Sequence, residues 1–274
     1  MIDAHHHFWH YRPDYFSWIG ESMAVLKRDF IAADLRAELT GAGITGVVSV
    51  QARQMTEETD FLLAEADANP FVRGVVGWVP LIAPDVQAAL DKYARHPRLK
   101  GVRHVLHDEP DDLYMLRPDF NAGLRRLAPL GLSYDILIFA RHLPYAMELV
   151  DRHPGQTFIL DHMGKPDIRN RLLEPWRSHI ASLAERLNVF CKLSGIVTEA
   201  NWTGWKPADL KPYVDAVLES FGPNRMMFGS DWPVCAVAGG YRRWVDAATS
   251  LTEQLSAEER NWLWQRTATT VYRL

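Results

Sequence analysis

The sequence predicts an α/β fold, a single (β/α)8 barrel of the TIM type, on three observations. Eight short apolar runs recur along the chain, amphipathic segments of helical period separate them, and 274 residues match the roughly 250 that such a barrel needs. Strict β-α alternation implies a parallel sheet, and eight units in this length imply closure into a barrel.

The strand candidates are 2–8, 45–51, 73–79, 100–106, 133–139, 156–162, 189–194 and 225–231. Each is rich in β-branched or other apolar residues and is bounded by Gly, Pro or polar residues. Runs that are apolar on both faces suit parallel strands buried under helices. The helical segments carry stop signals: Gly43, Asn69-Pro70, Gly131 and Pro154-Gly155 end four of them. Ser256 with Glu259 three residues on forms a capping box that opens the last helix. An open doubly wound sheet is the rival, but no GxGxxG follows the first strand. There is no internal repeat, low-complexity tract or linker, so residues 1–274 are expected to form one domain.

Hydrophobic residues make up 47% of the chain and charged residues 23%, enough apolar material for a large core. A net charge of −4 without any basic run argues against nucleic-acid or anionic-membrane partners, which require clustered Lys and Arg. No apolar stretch approaches the roughly 18 residues of a membrane span. Ile2 already belongs to a strand, which leaves no room for a signal peptide. Two lone cysteines, Cys191 and Cys235, suit a reducing compartment, so a cytoplasmic location is expected. Nothing in the pattern specifies a homo-oligomer or forbids one.

In a barrel of this type the active site lies at the C-terminal ends of the strands. The first strand opens Ile2-Asp3-Ala4-His5-His6-His7, and strict alternation places Asp3, His5 and His7 on one face. Two imidazoles at one strand end suit a shared metal, since neutral imidazole is the commonest protein metal ligand. The competing reading, a histidine-rich surface tract, conflicts with the apolar frame of Ile2 and Phe8-Trp9. The sixth strand ends at Asp161-His162, followed by Met163-Gly164-Lys165-Pro166, and Gly164 there permits close backbone approach. His162 alone reads equally well as a core histidine, and Lys165 as a solvated loop cation. The eighth strand ends Gly229-Ser230-Asp231-Trp232-Pro233. A carboxylate there, with no helix start after it, suits a metal ligand or a general base.

These three segments together resemble the amidohydrolase superfamily. The opening IDAHHHFW and the motifs DHMGKP and FGSDWP are similar to its amidohydrolase 2 branch, within that to the sugar-lactone hydrolases of the fuconolactonase and rhamnonolactonase type. The resemblance spans nearly the whole chain. It implies hydrolysis of a sugar-acid 1,4- or 1,5-lactone such as L-fuconolactone, with Asp231 as general base on water. It also implies one divalent ion, zinc, at His5, His7 and Asp231. The sequence departs from the wider superfamily in having no histidine or lysine ligand at the end of strand five. His162 is expected to lie away from the other ligands, and the metal to be weakly held and not required.

That departure directs attention to Arg103 and His104 at the end of strand four, as groups to polarise the carbonyl together with His162. The structural alternative for Arg103 is an ion pair with a strand-end acid such as Asp135. Gln51, Arg53, Lys165 and Trp232 are the substrate-binding candidates, and Trp9, Trp18 and Trp202 are further aromatics able to stack on a sugar ring. Lys192 and Ser194 share one face of strand seven and read equally as structural or functional. Two other functions fit less well. A non-oxidative decarboxylase of the same branch needs a firm zinc site, and a non-catalytic sugar-acid binding protein has no use for a buried base.

Overall fold

The computed structural model describes Met1–Leu274. All eight strand candidates form strands: β1 (Ile2–His6), β2 (Gly46–Val50), β3 (Val72–Gly77), β4 (Leu99–Val105), β5 (Ser133–Leu137), β6 (Phe158–Leu160), β7 (Val189–Leu193) and β8 (Met226–Phe228). Seven parallel pairings run in chain order from β1 to β8. The helices are α1 (Ala32–Leu39), α2 (Thr56–Ala68), α3 (Val86–Tyr93), α4 (Pro118–Leu124), α5 (Leu143–Asp151), α6 (Trp176–Ala184), α7 (Pro207–Phe221), α8 (Gly240–Leu251), α9 (Ala257–Asn261) and α10 (Thr267–Tyr272). The fold is a (β/α)8 barrel. None of its helices is long and apolar enough to cross a membrane.

Alternation along the strands separates two apolar layers. Val47, Val75, Phe158, Leu160, Met226 and Phe228 face outward into the large core shared with the helices. Their neighbours Val48, Val76, Ile159 and Met227 face inward and pack with Ala4 and with Tyr272 of α10. The last helix thus plugs the barrel, which is filled by side chains as expected for eight strands.

The seam between β8 and β1 closes beyond the regular ladder. The Asp231 N–H donates to the His5 carbonyl at 2.8 Å, and the His7 N–H donates to Trp232 O at 2.6 Å. Below these bonds, Asp3 accepts from the Ser230 N–H at 2.8 Å and from the Tyr241 hydroxyl of α8 at 3.2 Å. Asp3 therefore does not share a face with His5 and His7, contrary to strict alternation. The β1–β2 pairing steps from Asp3↔Val47 to His6↔Ser49, so one extra residue bulges out of β1 and resets the alternation. His5 turns into the barrel, and Asp3 becomes a latch on its outer wall. Burial pushes the Asp3 carboxyl up to about 6 against those hydrogen bonds.

Candidate active site

Three imidazoles converge on one carboxylate oxygen at the barrel mouth. His7 Nε2 lies 3.4 Å from Asp231 Oδ1, His5 Nε2 3.7 Å and His162 Nε2 3.9 Å. The Nε2 atoms of His5 and His7 are 3.3 Å apart. His162, expected at a distance, belongs to the cluster: with His5 and Asp231 it forms a group whose ligand atoms lie within 4.8 Å of one another.

Each ring is aimed by what its Nδ1 atom meets. His7 Nδ1 lies 2.8 Å from the Val50 carbonyl, which only accepts, so Nδ1 carries a proton and Nε2 faces the centre. His162 Nδ1 contacts Ser194 Oγ at 2.9 Å. His5 Nδ1 is 3.4 Å from the Asp161 carboxylate. On its other side Arg103 Nη1, a pure donor, is 3.3 Å from His5 Nε2. His162 and Asp231 both sit in the left-handed backbone region, at φ 54° and 56°. Such conformations persist only where the surroundings impose them, and they cluster at functional sites. Gly195, at φ +64°, gives His162 its room: a Cβ there would lie 2.4 Å from His162 Nδ1.

Burial keeps the His5 and His162 imidazoles neutral. It holds His5 well below the ordinary value, against the pull of Asp161, and pushes His162 down to about 4. Burial works to raise Asp231, but the neighbouring His162, His7 and Lys165 outweigh it and bring the carboxyl below its usual value. At neutral pH the centre is thus an anion faced by imidazole lone pairs, a set of acceptors that calls for a cation. The spacing fits one. A tetrahedral ion with ligands at about 2.0–2.1 Å has ligand–ligand edges of about 3.3–3.4 Å. The His5–His7 separation of 3.3 Å and the His7–Asp231 separation of 3.4 Å match it, and those of His5 and His162 to Asp231, 3.7 and 3.9 Å, are somewhat longer. The contacts behind the rings fit as well, with a carbonyl at His7 Nδ1, a carboxylate at His5 Nδ1 and a hydroxyl at His162 Nδ1.

A cavity of about 340 Å³ opens above this centre, lined by His7, His162 and Asp231 with Arg53, Arg103 and Lys165 among others. Arg53 is held by Glu58 at 2.5 Å through Nε and lies 4.6 Å over the Tyr15 ring, its terminal nitrogens left for the cavity. Lys165 pairs with Glu199 at 3.2 Å on another wall.

Other expected site residues are placed elsewhere. His104 points out of the barrel: it accepts from Trp78 Nε1 at 3.2 Å, meets Glu109 at 2.6 Å and stacks on Tyr114. Its neighbour Arg103 points inward, so β-strand alternation separates the pair. Gln51 is fully buried and does not reach the cavity; its side-chain and main-chain oxygens both accept from Arg103. Trp232 is packed against Phe8 and Phe30 in the core, and of the four candidate tryptophans Trp18 alone lines the cavity. Arg103 pairs with Asp161 at 2.9 Å rather than with Asp135. Sequence reasoning passed over Asp161, Tyr15, His107, Asp108 and Thr198. Asp161 carried a usable signal, since a charge that ends a buried strand one step before His162 needs a partner.

A model of the amidohydrolase family matches residues 2–274. The chain belongs to the amidohydrolases. A curated relative, the L-fucono-1,5-lactonase of Burkholderia multivorans, is 40% identical over 288 residues, covering 100% of this chain and 96% of that protein. A crystal structure of an amidohydrolase from Burkholderia multivorans with bound zinc superposes with a TM-score of 0.96 at 40% identity, covering 100% of this amidohydrolase and 99% of that chain. The dihydroxybenzoic acid decarboxylase of Polaromonas, solved with manganese and an inhibitor, is 15% identical with a TM-score of 0.72, covering 100% and 96% of the two chains. That last likeness is one of fold.

Proposed function

We propose that this amidohydrolase opens the lactone ring of a sugar acid, an aldono-1,5- or 1,4-lactone of the L-fuconolactone type, with residues 1–274 acting as one cytoplasmic catalytic unit. The observation that carries the reading is the Asp231 carboxylate, an anion set among three imidazoles at the floor of the cavity. Full-length identity of 40% to an L-fucono-1,5-lactonase supports it.

Asp231 takes a proton from water, and the resulting hydroxide adds to the lactone carbonyl carbon. The carbonyl π pair moves onto oxygen, where cavity cations such as Lys165 and Arg53 offset the developing charge. The adduct then collapses, the ring C–O bond breaks, and the proton held by Asp231 passes to the departing ring oxygen. The product is the open-chain hydroxy acid. Arg103, with most of its donors bound to Asp161 and Gln51, orients His5 rather than gripping substrate. His5, His7, His162 and Asp231 would hold a divalent cation, zinc by the chemistry of the donors, and when bound it supplies Lewis acidity toward the carbonyl. A lactone is already electrophilic, so modest activation suffices.

The test is a pH-indicator assay of the purified protein against a panel of aldonolactones. Acid release from an L-fuconolactone-type substrate is the expected result. Folded protein that opens no member of the panel would overturn the reading.

A further inference from the structure

Beneath the cavity, β5, β6, β7 and the C-terminal helix meet in a buried polar column that takes no part in the steps above. The Tyr272 hydroxyl donates to Asp135 Oδ2 at 2.6 Å. Lys192 Nζ donates to the same oxygen at 2.5 Å and is ion-paired with Asp161 Oδ1 at 2.9 Å. That Asp161 oxygen is the one facing His5 Nδ1, and Arg103 binds the other, Oδ2, at 2.9 Å. Lys192, Asp135, Asp161 and His5 are wholly enclosed, as is Tyr272.

A lysine in a barrel interior is costly to desolvate, and apolar side chains of equal volume commonly serve stability as well or better. Stability alone therefore does not account for Lys192. Its position does. Arg103 Nη1 lies 3.3 Å from His5 Nε2, while His5 Nδ1 faces Lys192 Nζ at 3.2 Å and Asp161 Oδ1 at 3.4 Å. That oxygen stays there because Lys192 draws it down from below, while Arg103 ties its twin from the side.

We propose that Lys192, anchored by Asp135 and by the Tyr272 hydroxyl, is a positioning residue for the reaction. It holds Asp161 and the Nδ1 edge of the His5 ring in place and so keeps His5 Nε2 facing Asp231. The inference rests on the reading of His5 as a ligand in the proposed active site. It gives the C-terminal helix a mechanical link to that ligand through Tyr272, Asp135, Lys192 and Asp161.

The experiment uses the full chain as Lys192→Met and Tyr272→Phe, the second removing a single hydroxyl. Zinc affinity is measured by competition with a chromophoric chelator, the His5 tautomer by ¹⁵N chemical shifts in zinc-free protein, and kcat and KM separately. Expected are a zinc affinity lowered roughly 10- to 100-fold in Lys192→Met and less in Tyr272→Phe. The His5 tautomer populations should shift in both, and kcat should fall with little change in KM. Zinc affinity and tautomer like those of the unaltered chain would overturn the proposal, whatever the melting temperatures do. If Lys192→Met does not fold, Tyr272→Phe decides. The zinc and tautomer measurements contain no lactone, so they stand even if the protein proves to open none.

Discussion

The Asp231 amide donates to the His5 carbonyl at 2.8 Å, so one of the hydrogen bonds that close the barrel also sets the spacing between a metal-ligand candidate and the proposed base. Both residues are displaced from regular strand geometry: the bulge in β1 turns His5 inward, and a left-handed backbone presents Asp231 to the mouth. The local irregularities of the fold thus coincide with its chemistry.

Asp231→Asn keeps the side-chain shape and the main-chain seam but removes the base. Turnover on the best aldonolactone should fall by about 10²- to 10⁴-fold, with the circular dichroism spectrum unchanged. Turnover near that of the unaltered enzyme would remove Asp231 from the mechanism.

Asp3 holds the seam from outside the barrel, accepting from Ser230 and Tyr241 in a fully buried setting. Asp3→Ala strands those donors, and unfolding in urea should show a loss of about 2–4 kcal/mol. Tyr241→Phe, which deletes one of the bonds, should lose about 1 kcal/mol.

Gly195→Ala adds one methyl group where it would meet the His162 ring at a left-handed backbone position. The ring must shift, and misplacement of this order lowers turnover by about 10- to 100-fold. His104→Ala provides the contrast. His104 lies outside the barrel against Trp78, Glu109 and Tyr114, so its loss should lower the melting temperature while leaving kcat close to that of the unaltered enzyme. A large fall in kcat for His104→Ala, or none for Gly195→Ala, would contradict this placement.

The stability of the protein should decline in acid, with His107 as one source. Burial pushes its imidazole down to about 2 from an ordinary 6.5, with Lys165 and Arg103 adding to the effect. Between these values the unfolded chain binds a proton and the folded chain does not, so stability is lost as the pH falls below about 6.5. The slope is at most about 1.4 kcal/mol per pH unit from this one group. His107→Phe, which retains stacking on Phe139, should flatten the dependence of the unfolding free energy on pH between 4 and 6.5; an unchanged slope would refute the assignment.

The eight strands were legible because each is apolar on both faces and lies between glycines, prolines or polar residues. Asp231, His5, His7 and His162 were legible because a polar residue ending a buried strand in this fold can only face the mouth or a partner. What the sequence hid was direction. His104 follows Arg103 by one step, and pleating sends it outward; the bulge in β1 broke the alternation that would have kept Asp3 beside His5. Gln51 and Trp232 stand beside site residues in the chain yet were claimed by local partners, the one by Arg103 and the other by an aromatic cluster. The column under the site was written as single charges inside apolar runs, Asp135 in SYDIL and Lys192 in VFCKL, but pairing them requires knowing that β5 and β7 flank β6.

The count of metal ligands is the point on which structure most changes the expectation. Three ligands and a distant His162 imply weak zinc, whereas His162 in fact joins His5 and Asp231 in one group of candidate ligands, with His7 beside them at 3.4 Å from Asp231. Each of the three rings is also fixed through Nδ1, which removes much of the ordering cost of binding. Titration of zinc into chelator-treated protein should therefore saturate at one equivalent per chain, read by atomic emission and by calorimetry. His162→Ala should weaken that binding by roughly 10- to 100-fold, the size of effect expected when a well-oriented partner is lost. His104→Ala, outside the barrel, should leave the titration unaltered. Saturation well below one equivalent, or an unchanged affinity in His162→Ala, would show that the convergence of these rings serves Asp231 alone.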